Sequence, residues 1–552
     1  MSACRLTGRS RRLGVTHDRT PQPFLKQYLE LTDQILKNNP DTSWLCSHIL
    51  SRHKTISNLP NLLKNKIATA YGVGPCAERK RSTELLAKGT LRKPRLNINE
   101  WMCKILHHSG WIGSMTYRCG LSILRKSIST FYLKKKFVQL QKKQNLPLYV
   151  ISSIISEHSF LNQKYHDAYF PGLSSHLEQQ FQVLNFVKVD TFYRKNIHSM
   201  ATNTQNYIFP IEFFLSYQDI VQSFLKLLFH KRIQGRFFFN DHDVSDLIRQ
   251  EVSRTYNGHI PYEQYLFFPS VKNLCRKLNI HTFLTTYEVM PRERMSIKAL
   301  RLFSPKTRIL GYQHSVISQA SASVYASPYE VACNCTPDRI VTTGPEPKNI
   351  MTRYGYYPTE RIQIGGALRF QNLYQNKEFF NKTTTKNVLI LLQDAPHMEL
   401  LLSCLAHQGL EQKGYRYFLR PNPAFVHNIH QKKLLVRYHK PPFHISSAKS
   451  LNENLRSADA VIYWETGAAL EALWFGKPVI HFDFRDALSF DPLFHCPHLK
   501  WTMNSDTKLI DLLKNIEHMD VTLFHQQQQL AREYVQSYFS KPTQETLLSL
   551  IH

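Results

Sequence analysis

From about residue 146 onward, apolar runs of strand length alternate with longer stretches of helical spacing. Leu148 to Ile155 is rich in β-branched residues. Tyr207 to Phe214, Arg236 to Asn240, His281 to Thr286, Arg308 to Tyr312, Arg339 to Thr342 and Arg361 to Ile364 follow as strand candidates. Ile220 to His230 and Val244 to Thr255 read as helices between them. Neighbouring parallel strands must be joined by a crossover, usually a helix, so this alternation predicts parallel sheets. A second series begins near residue 386. Asn387 to Leu392, Tyr415 to Leu419, Ala458 to Trp464 and Val479 to Phe484 are its strands, and Met398 to His407 and Ala468 to Phe475 its helices. The tail, Leu523 to Phe539 and Thr543 to Leu550, reads as helix split at Pro542. The pattern therefore predicts two α/β domains, 146–375 and 376–552, with a polar linker near 371–386.

Residues 1–145 differ. They carry 27 Lys and Arg against 7 Asp and Glu, which is most of the chain's net charge of +29. Phe24 to Leu36 has helical apolar spacing, whereas Arg79 to Arg95 is basic and broken by Gly89 and Pro94. We read 1–145 as a basic, mainly helical extension. A local excess of one sign predicts an anionic partner: a membrane surface, a nucleic acid or a polyanion.

Residues 101–145 hold nine basic residues and no acid. Leu121, Leu124, Ile128 and Phe131 fall on one helical stripe, flanked by Arg125, Lys126, Lys134, Lys135, Lys136, Lys142 and Lys143. Such a helix suits an anionic bilayer surface. It equally suits a helix packed on the next domain with a solvated basic back. No nucleic-acid-binding signature accompanies the charge, so nucleic acid is not expected as a partner.

Hydrophobic residues make up 42% of the chain, enough to build cores and exclude global disorder. No run approaches the ~20 apolar residues of a spanning helix. The best, Ile208 to Phe229, is broken by Glu212, Asp219 and Lys226. Arg5, Arg9, Arg11, Arg12 and Arg19 precede no apolar segment, unlike a secretory signal. Ten Cys, none spaced C-x-x-C, suit reduced thiols and a cytoplasmic protein.

The sharpest local unit runs from Ala458 to Ile480. It reads strand, a turn at Glu465-Thr466-Gly467, helix, a stop at Gly476, and strand. A helix beginning at the carboxyl end of a parallel strand presents unpaired N–H groups, an anion site. Thr466 and Gly467 are small enough for a phosphate to approach, and Glu471 lies about one turn on, placed for ribose hydroxyls. An ordinary βαβ unit with a surface Glu has the same pattern.

That segment resembles the donor-binding helix of GT-B glycosyltransferases, in which two Rossmann-like domains face across a cleft. Gly311-Tyr312-Gln313-His314-Ser315 is similar to the Gly-x-Gln-His segment of bacterial surface-carbohydrate and capsule-type members. Pro337-Asp338, Gly344 and Ile364-Gly365-Gly366-Ala367-Leu368-Arg369 follow in that group's order. Tyr287 to Arg294 and Tyr165 to Leu173 resemble two further segments of the first domain. The likeness spans roughly residues 146–500. The family's Arg-x-His-Pro appears here as Arg420-Pro421-Asn422-Pro423, and Asn422 cannot take the charged role of a His.

The resemblance implies a metal-independent transferase with a nucleotide-sugar as substrate and no cofactor. Arg420, Thr466 and Gly467 would hold the diphosphate, and Glu471 the ribose. His314 would be the catalytic base, with Glu288 as the alternative unless it pairs with Arg292 or Arg294. Arg369 and Gln313 would meet the sugar or the acceptor. The acceptor would be a glycan or lipid-linked glycan in surface polysaccharide or lipopolysaccharide assembly, at the inner membrane face. The same fold admits a CDP-polyol phosphotransferase, a nucleotide-sugar epimerase, or a catalytically silent glycan- or polyanion-binding protein. Asp241-His242-Asp243 is the one Asp-x-Asp, and we read it as a helix-capping turn, not a metal site.

Overall fold

The structure is a computed structural model. It describes residues 22–39, 52, 59–70, 99–143, 145–156, 159–161, 164–229, 233–256, 260–375, 386–393, 395–408, 410, 414–422, 429–439 and 442–551. The basic segment Arg79 to Arg95, the arginines of the first 20 residues and most of the expected linker lie outside these residues.

Two parallel sheets dominate. The first has strands β1 (Leu148–Ile155), β2 (Gln182–Val189), β3 (Tyr207–Pro210), β4 (Ile280–Thr286), β5 (Arg308–Gln313), β6 (Arg339–Thr342) and β7 (Ile362–Ile364). Their spatial order is β7-β6-β5-β4-β1-β2-β3, and every pairing is parallel. The second has β8 (Asn387–Leu392), β9 (Arg416–Pro421), β10 (Phe443–Ile445), β11 (Ala460–Tyr463), β12 (Val479–Phe482) and β13 (Lys500–Met503). Its order is β10-β9-β8-β11-β12-β13, again all parallel. Counted within each lobe, both sheets run third, second, first, fourth, fifth, sixth, the doubly wound Rossmann order, and the first sheet adds a seventh strand at its edge. Each therefore has one point where the winding reverses: between β1 and β4 in the first lobe, and between β8 and β11 in the second. Two doubly wound α/β lobes in one chain are the architecture expected from sequence.

The strands read almost continuously apolar because helices cover both sheet faces. In β8 the five residues Val388 to Leu392 are all buried, and in β11 all four are. Some expected boundaries move. Tyr207–Phe214 is strand only to Pro210, where the fixed proline φ and missing N–H turn the chain into the short helix Ile211–Phe214. Asn240 and Asp241 both have positive φ and form the turn of a small hairpin, Phe238–Phe239 with His242–Asp243. The Asp243 carboxylate then accepts from Ser245 N (2.8 Å) ahead of the helix Ser245–Tyr256.

Three N-terminal helices join this frame: α1 (Gln22–Asn38), α2 (Leu59–Ala70) and α3 (Asn99–Lys142). α1 buries Leu25, Tyr28, Leu29, Leu31, Ile35 and Leu36 in the main core. Its Asp33 accepts from the Ser327 hydroxyl and from Tyr329 N, beside the short helix Pro328–Ala332. Arg52 is buried. It bonds Thr32, the carbonyls of Ala322 and Tyr325, and Glu330, which also pairs with Arg294 at 2.5 Å. The two guanidiniums hold the Glu330 carboxyl down at about 2. α2 reaches the second lobe, where Asn61 donates to Asp486 (2.8 Å) and accepts from Ala487 N (2.8 Å). α3 buries Met115, Ser122, Ser129, Leu133, Phe137 and Leu140 against the first lobe. Lys126 and Lys136 turn inward to backbone carbonyls, and burial lowers both ammonium groups to about 8. So the described helices of residues 1–145 pack on the two lobes, α1 and α3 on the first and α2 on the second.

Among the described residues two segments after β7 run between the lobes. After β7, residues Leu368–Gln375 lead toward the second lobe. After the long helix Val521–Tyr538, residues 539–543 lead back, and Leu547, Leu550 and Ile551 pack against Tyr149, Ile151 and Leu368 of the first lobe. The two crossings touch: Phe370 stacks on Phe539 with centroids 3.9 Å apart. Gly344 explains part of the motif order. A Cβ there would sit 2.6 Å from the Tyr538 carbonyl oxygen, so only glycine lets the returning chain close. Gly311 likewise lies between the Tyr287 and Pro337 side chains, both within 2.9 Å of a built Cβ. Among the described residues no helix is long and apolar enough to cross a membrane.

Candidate active site between the lobes

In open doubly wound sheets a ligand crevice forms beyond the strand carboxyl ends, where the winding reverses. In the first lobe that point is the end of β4, which runs into Tyr287-Glu288-Val289-Met290. Val289 has φ 59°, a strained conformation for a β-branched residue. The strain is held from behind by Glu293. Its carboxylate accepts from Thr286 Oγ1 (2.8 Å) and from the backbone N of Glu288 and of Met290 (3.0 Å each). Burial raises the Glu293 carboxyl to about 7 against the opposing pull of Arg292.

This loop aims Glu288 at His314, one residue beyond β5. Glu288 Oε1 lies 3.8 Å from His314 Nε2. On the other side of the ring, Arg369 Nη1 lies 3.3 Å from Nδ1. Guanidinium has donors only, so Nδ1 must be the acceptor and the imidazole proton sits on Nε2, toward Glu288. At 3.8 Å that N–H is not hydrogen-bonded, and Nε2 is buried without a hydrogen-bond partner among the described residues. Burial first, then Arg369 and Arg292, hold His314 down at about 4 despite the nearby Glu288. His314 is therefore neutral at physiological pH, with its lone pair committed to Arg369. In this arrangement the His314 lone pair is engaged, whereas the role of catalytic base expected for it needs that lone pair free, and Glu288 is the carboxylate beside it.

Tyr169 completes the wall. Its ring packs on His314 (centroids 4.7 Å apart) and lies under the Arg369 guanidinium at 5.4 Å. Asp167 fixes this segment by accepting from the backbone N of Tyr169 (2.8 Å) and Phe170 (3.0 Å). Only the resemblance of Tyr165 to Leu173 pointed there. Gln313 turns elsewhere. Its Oε1 accepts from Thr343 N (3.2 Å) and its amide donates to the Ser315 carbonyl, so it ties β5 to β6. Arg294 is drawn off to Glu330, and Arg292 lies 3.8 Å from Glu293.

The second lobe brings its own reversal point to the same cleft. Thr466 and Gly467 follow β11, and the Thr466 hydroxyl accepts from Ala468 N (3.2 Å) at the start of the helix Ala468–Trp474. Gly467 approaches the first lobe: a Cβ there would lie 3.3 Å from Val316 Cγ1, just after His314. Both turn residues are half-buried. Glu471 feels Arg369 and Arg420, yet burial outweighs both and raises its carboxyl to about 7. Arg420, at the end of β9, donates to Asn454 Oδ1 (2.5 Å) and the Ala448 carbonyl (3.3 Å). Arg369 thus lies against His314, and its charge also opposes the rise of the Glu471 carboxyl.

Two features of the second lobe were not read from sequence. Asn422 donates to Gln393 Oε1, and Gln393 donates to the Glu465 carbonyl, so a string of amides spans β9, β8 and β11 at their carboxyl ends. Beside it His397 stacks on Trp464, centroids 3.7 Å apart, with Phe484 and Phe490 around them. Among the described residues no group of three or more His, Cys, Asp or Glu is arranged to hold a metal.

Comparison with known proteins adds outline only. No family model and no curated protein matches the chain. Among solved structures it is similar to α,α-trehalose 6-phosphate synthase from Burkholderia multivorans, with 10% identity over 74% of this chain and 95% of that one, at a TM-score of 0.41. It is also similar to the glycosyltransferase SnogD from Streptomyces nogalater (9% identity, 74% and 99% covered, TM-score 0.36). A third is the UDP-GlcNAc 2-epimerase from Neisseria meningitidis (10% identity, 73% and 98% covered, TM-score 0.37). At such scores the chemistry rests on this chain's own residues.

Proposed function

We propose that the protein is a metal-independent glycosyltransferase that moves a sugar from a nucleotide-sugar to a glycan or lipid-linked acceptor. We place it in surface polysaccharide or lipopolysaccharide assembly, in the cytoplasm at the inner membrane face. The observation that carries the reading is the charge-linked pair of reversal points. Glu288 and the buried, unpartnered His314 Nε2 stand at one, Glu471 and the Thr466–Gly467 turn at the other, and Arg369 lies between.

In this scheme the donor diphosphate lies against the Thr466–Gly467 turn, with Arg420 and Arg369 opposing its charge. Arg369 suits the task because a guanidinium can bond two phosphate oxygens at once. Glu471, half protonated near neutrality, hydrogen-bonds ribose hydroxyls at reduced repulsion toward phosphate. Glu288 takes the proton of the acceptor hydroxyl as its oxygen bonds to the sugar carbon. The sugar carbon–oxygen bond to the diphosphate breaks, and the leaving nucleotide diphosphate carries the electron pair and the charge.

One observation favours a second reading, a catalytically silent glycan- or polyanion-binding protein. Asn422, where the resembled family has a His, is spent on the amide string across the second reversal point.

A panel of nucleotides and nucleotide-sugars, screened by thermal shift, tests both. A ligand at 100 times its dissociation constant adds about 2.7 kcal/mol to stability. Hits then enter a nucleotide-release assay with acceptor. Release that falls at least ~100-fold in Glu288→Gln supports the transferase. Binding with no release by wild type supports the silent protein. No binding of any donor overturns both.

A further inference from the structure

α3 carries a second apolar row besides the one it buries. Tyr117 (67% exposed), Leu124 (48%), Phe131 (82%) and Val138 (41%) recur every seven residues, two helical turns, and so line up on the outer side. Leu121 and Ile128, half-buried, lie between them. A surface helix ordinarily has one apolar stripe and hides it. The helices beside α3 extend the row. The helix Tyr193–Thr202 meets α3 through Tyr193 Oη on the Arg125 carbonyl (3.1 Å), and the exposed Phe192 precedes it. The helix Tyr217–Leu228 meets α3 at Ser127 through Tyr217 Oη (2.9 Å), and its own Tyr217 and Leu225 are exposed.

The charge on this face is mainly positive, and the acids beside it, Glu263, Glu212 and Asp190, are paired with Arg118, Arg125 and Lys188. Lys134, Lys135, Lys142 and Lys143 of α3 are exposed, and Arg194 and Lys195 stand on the neighbouring helix. Residues 101–145 contain no acid, nor does 193–202. The one acid of the helix Tyr217–Leu228, Asp219, is buried and bonded to Lys272 and Asn273. A contiguous exposed apolar strip of this kind marks an interaction surface, and its ring of cations selects an anionic partner.

We propose that this face docks on an anionic lipid bilayer, with α3 lying in the headgroup plane and Phe131 reaching into the acyl boundary. The proposal deepens the functional reading by naming the surface that would bring the cleft to a lipid-linked acceptor, and rests on that reading for the acceptor alone. A second copy of the chain is the competing occupant for a seven-residue repeat. It would bring the same four lysines of α3 against an equally basic face, and like charge opposes that pairing.

Flotation of the full-length protein with vesicles of phosphatidylcholine, alone and mixed with phosphatidylglycerol, decides it. Wild type floats with the mixed vesicles only, and added salt releases it. Phe131→Ser with Leu124→Ser, and separately Lys134→Glu with Lys135→Glu, each lower binding by roughly tenfold or more with unchanged thermal midpoints, because all four positions are exposed. Equal flotation of wild type and variants overturns the proposal. So does equal binding to neutral vesicles, or self-association that these substitutions abolish in a protein that binds no vesicle. Flotation needs no nucleotide, so lost docking with intact nucleotide release refutes this face alone, and the reverse result refutes the transferase alone.

Discussion

Replacing Glu293 with glutamine tests the electrostatics of the loop that presents Glu288. Burial lifts the Glu293 carboxyl from 4.5 to about 7, although it accepts from two backbone N–H groups and a hydroxyl. The sign follows from linkage. Between pH 4.5 and 7 the folded protein keeps a proton that the unfolded chain has released. This site's contribution is therefore fully present below about pH 4.5 and lost as pH rises through 7. A rise of 2.5 units at about 1.4 kcal/mol per unit makes that loss about 3 kcal/mol. Glutamine has the same shape and no titration. Its amide can still accept from Glu288 and Met290 and donate to Thr286. Urea denaturation at pH 5 and pH 8 should show wild type losing about 2.5 kcal/mol more than Glu293→Gln across that interval, since the part of the loss that falls below pH 5 lies outside it. The reasoning fails if the two proteins change equally, within about 0.5 kcal/mol. Glu471, also raised to about 7, is untouched in both and cancels from the comparison.

Arg369→Met frees His314 Nδ1 and removes a cation that holds the ring down. The His314 pKa should climb from about 4 toward 6.5, read by NMR titration of the ring. Arg52→Met leaves Glu330 with one of its two guanidiniums, and should cost about 3–5 kcal/mol by denaturation and speed proteolysis of the N-terminal helices. Gly344→Ala forces a Cβ onto the Tyr538 carbonyl and should cost about 1–3 kcal/mol, seen as a lower thermal midpoint.

Strand and helix periodicity made the second lobe largely readable. Asn387 to Leu392 and Arg339 to Thr342 coincide with β8 and β6 to the residue. Gln182–Val189 was not read, although it lies beside β1 near the centre of the first sheet. Its Gln182, Asn185 and Lys188 interrupt the apolar run that marks a buried strand, and Gln182 and Asn185 are nonetheless buried. β10 and β13 are edge strands of three and four residues, too short to show a period. Of the site, sequence placed His314 at a strand end and Glu471 one turn into a helix and singled out Glu288 and Arg369, and the fold sets Glu288 and Arg369 on either side of His314. Sequence could not show their surroundings: which nitrogen of His314 faces an arginine from 55 residues away, and the burial that lifts Glu471 and depresses His314. Of the stripe expected on α3, Leu124 and Phe131 face outward while Leu121 and Ile128 are half-buried, with Ile128 packed on the core beside Met115, Leu133 and Phe137.

The stacked pair Phe370 and Phe539 has a mechanical consequence. Both passages of the main chain between the lobes run through that one seam, and Tyr374 fastens them further by donating to the Phe539 carbonyl. Away from that seam the lobes are also pinned by Ala320 N on the Ser489 carbonyl (2.8 Å), by His495 against Glu346 (2.7 Å) and by Asn61 on Asp486 and Ala487, so a swing about the stacked rings must first break these clasps.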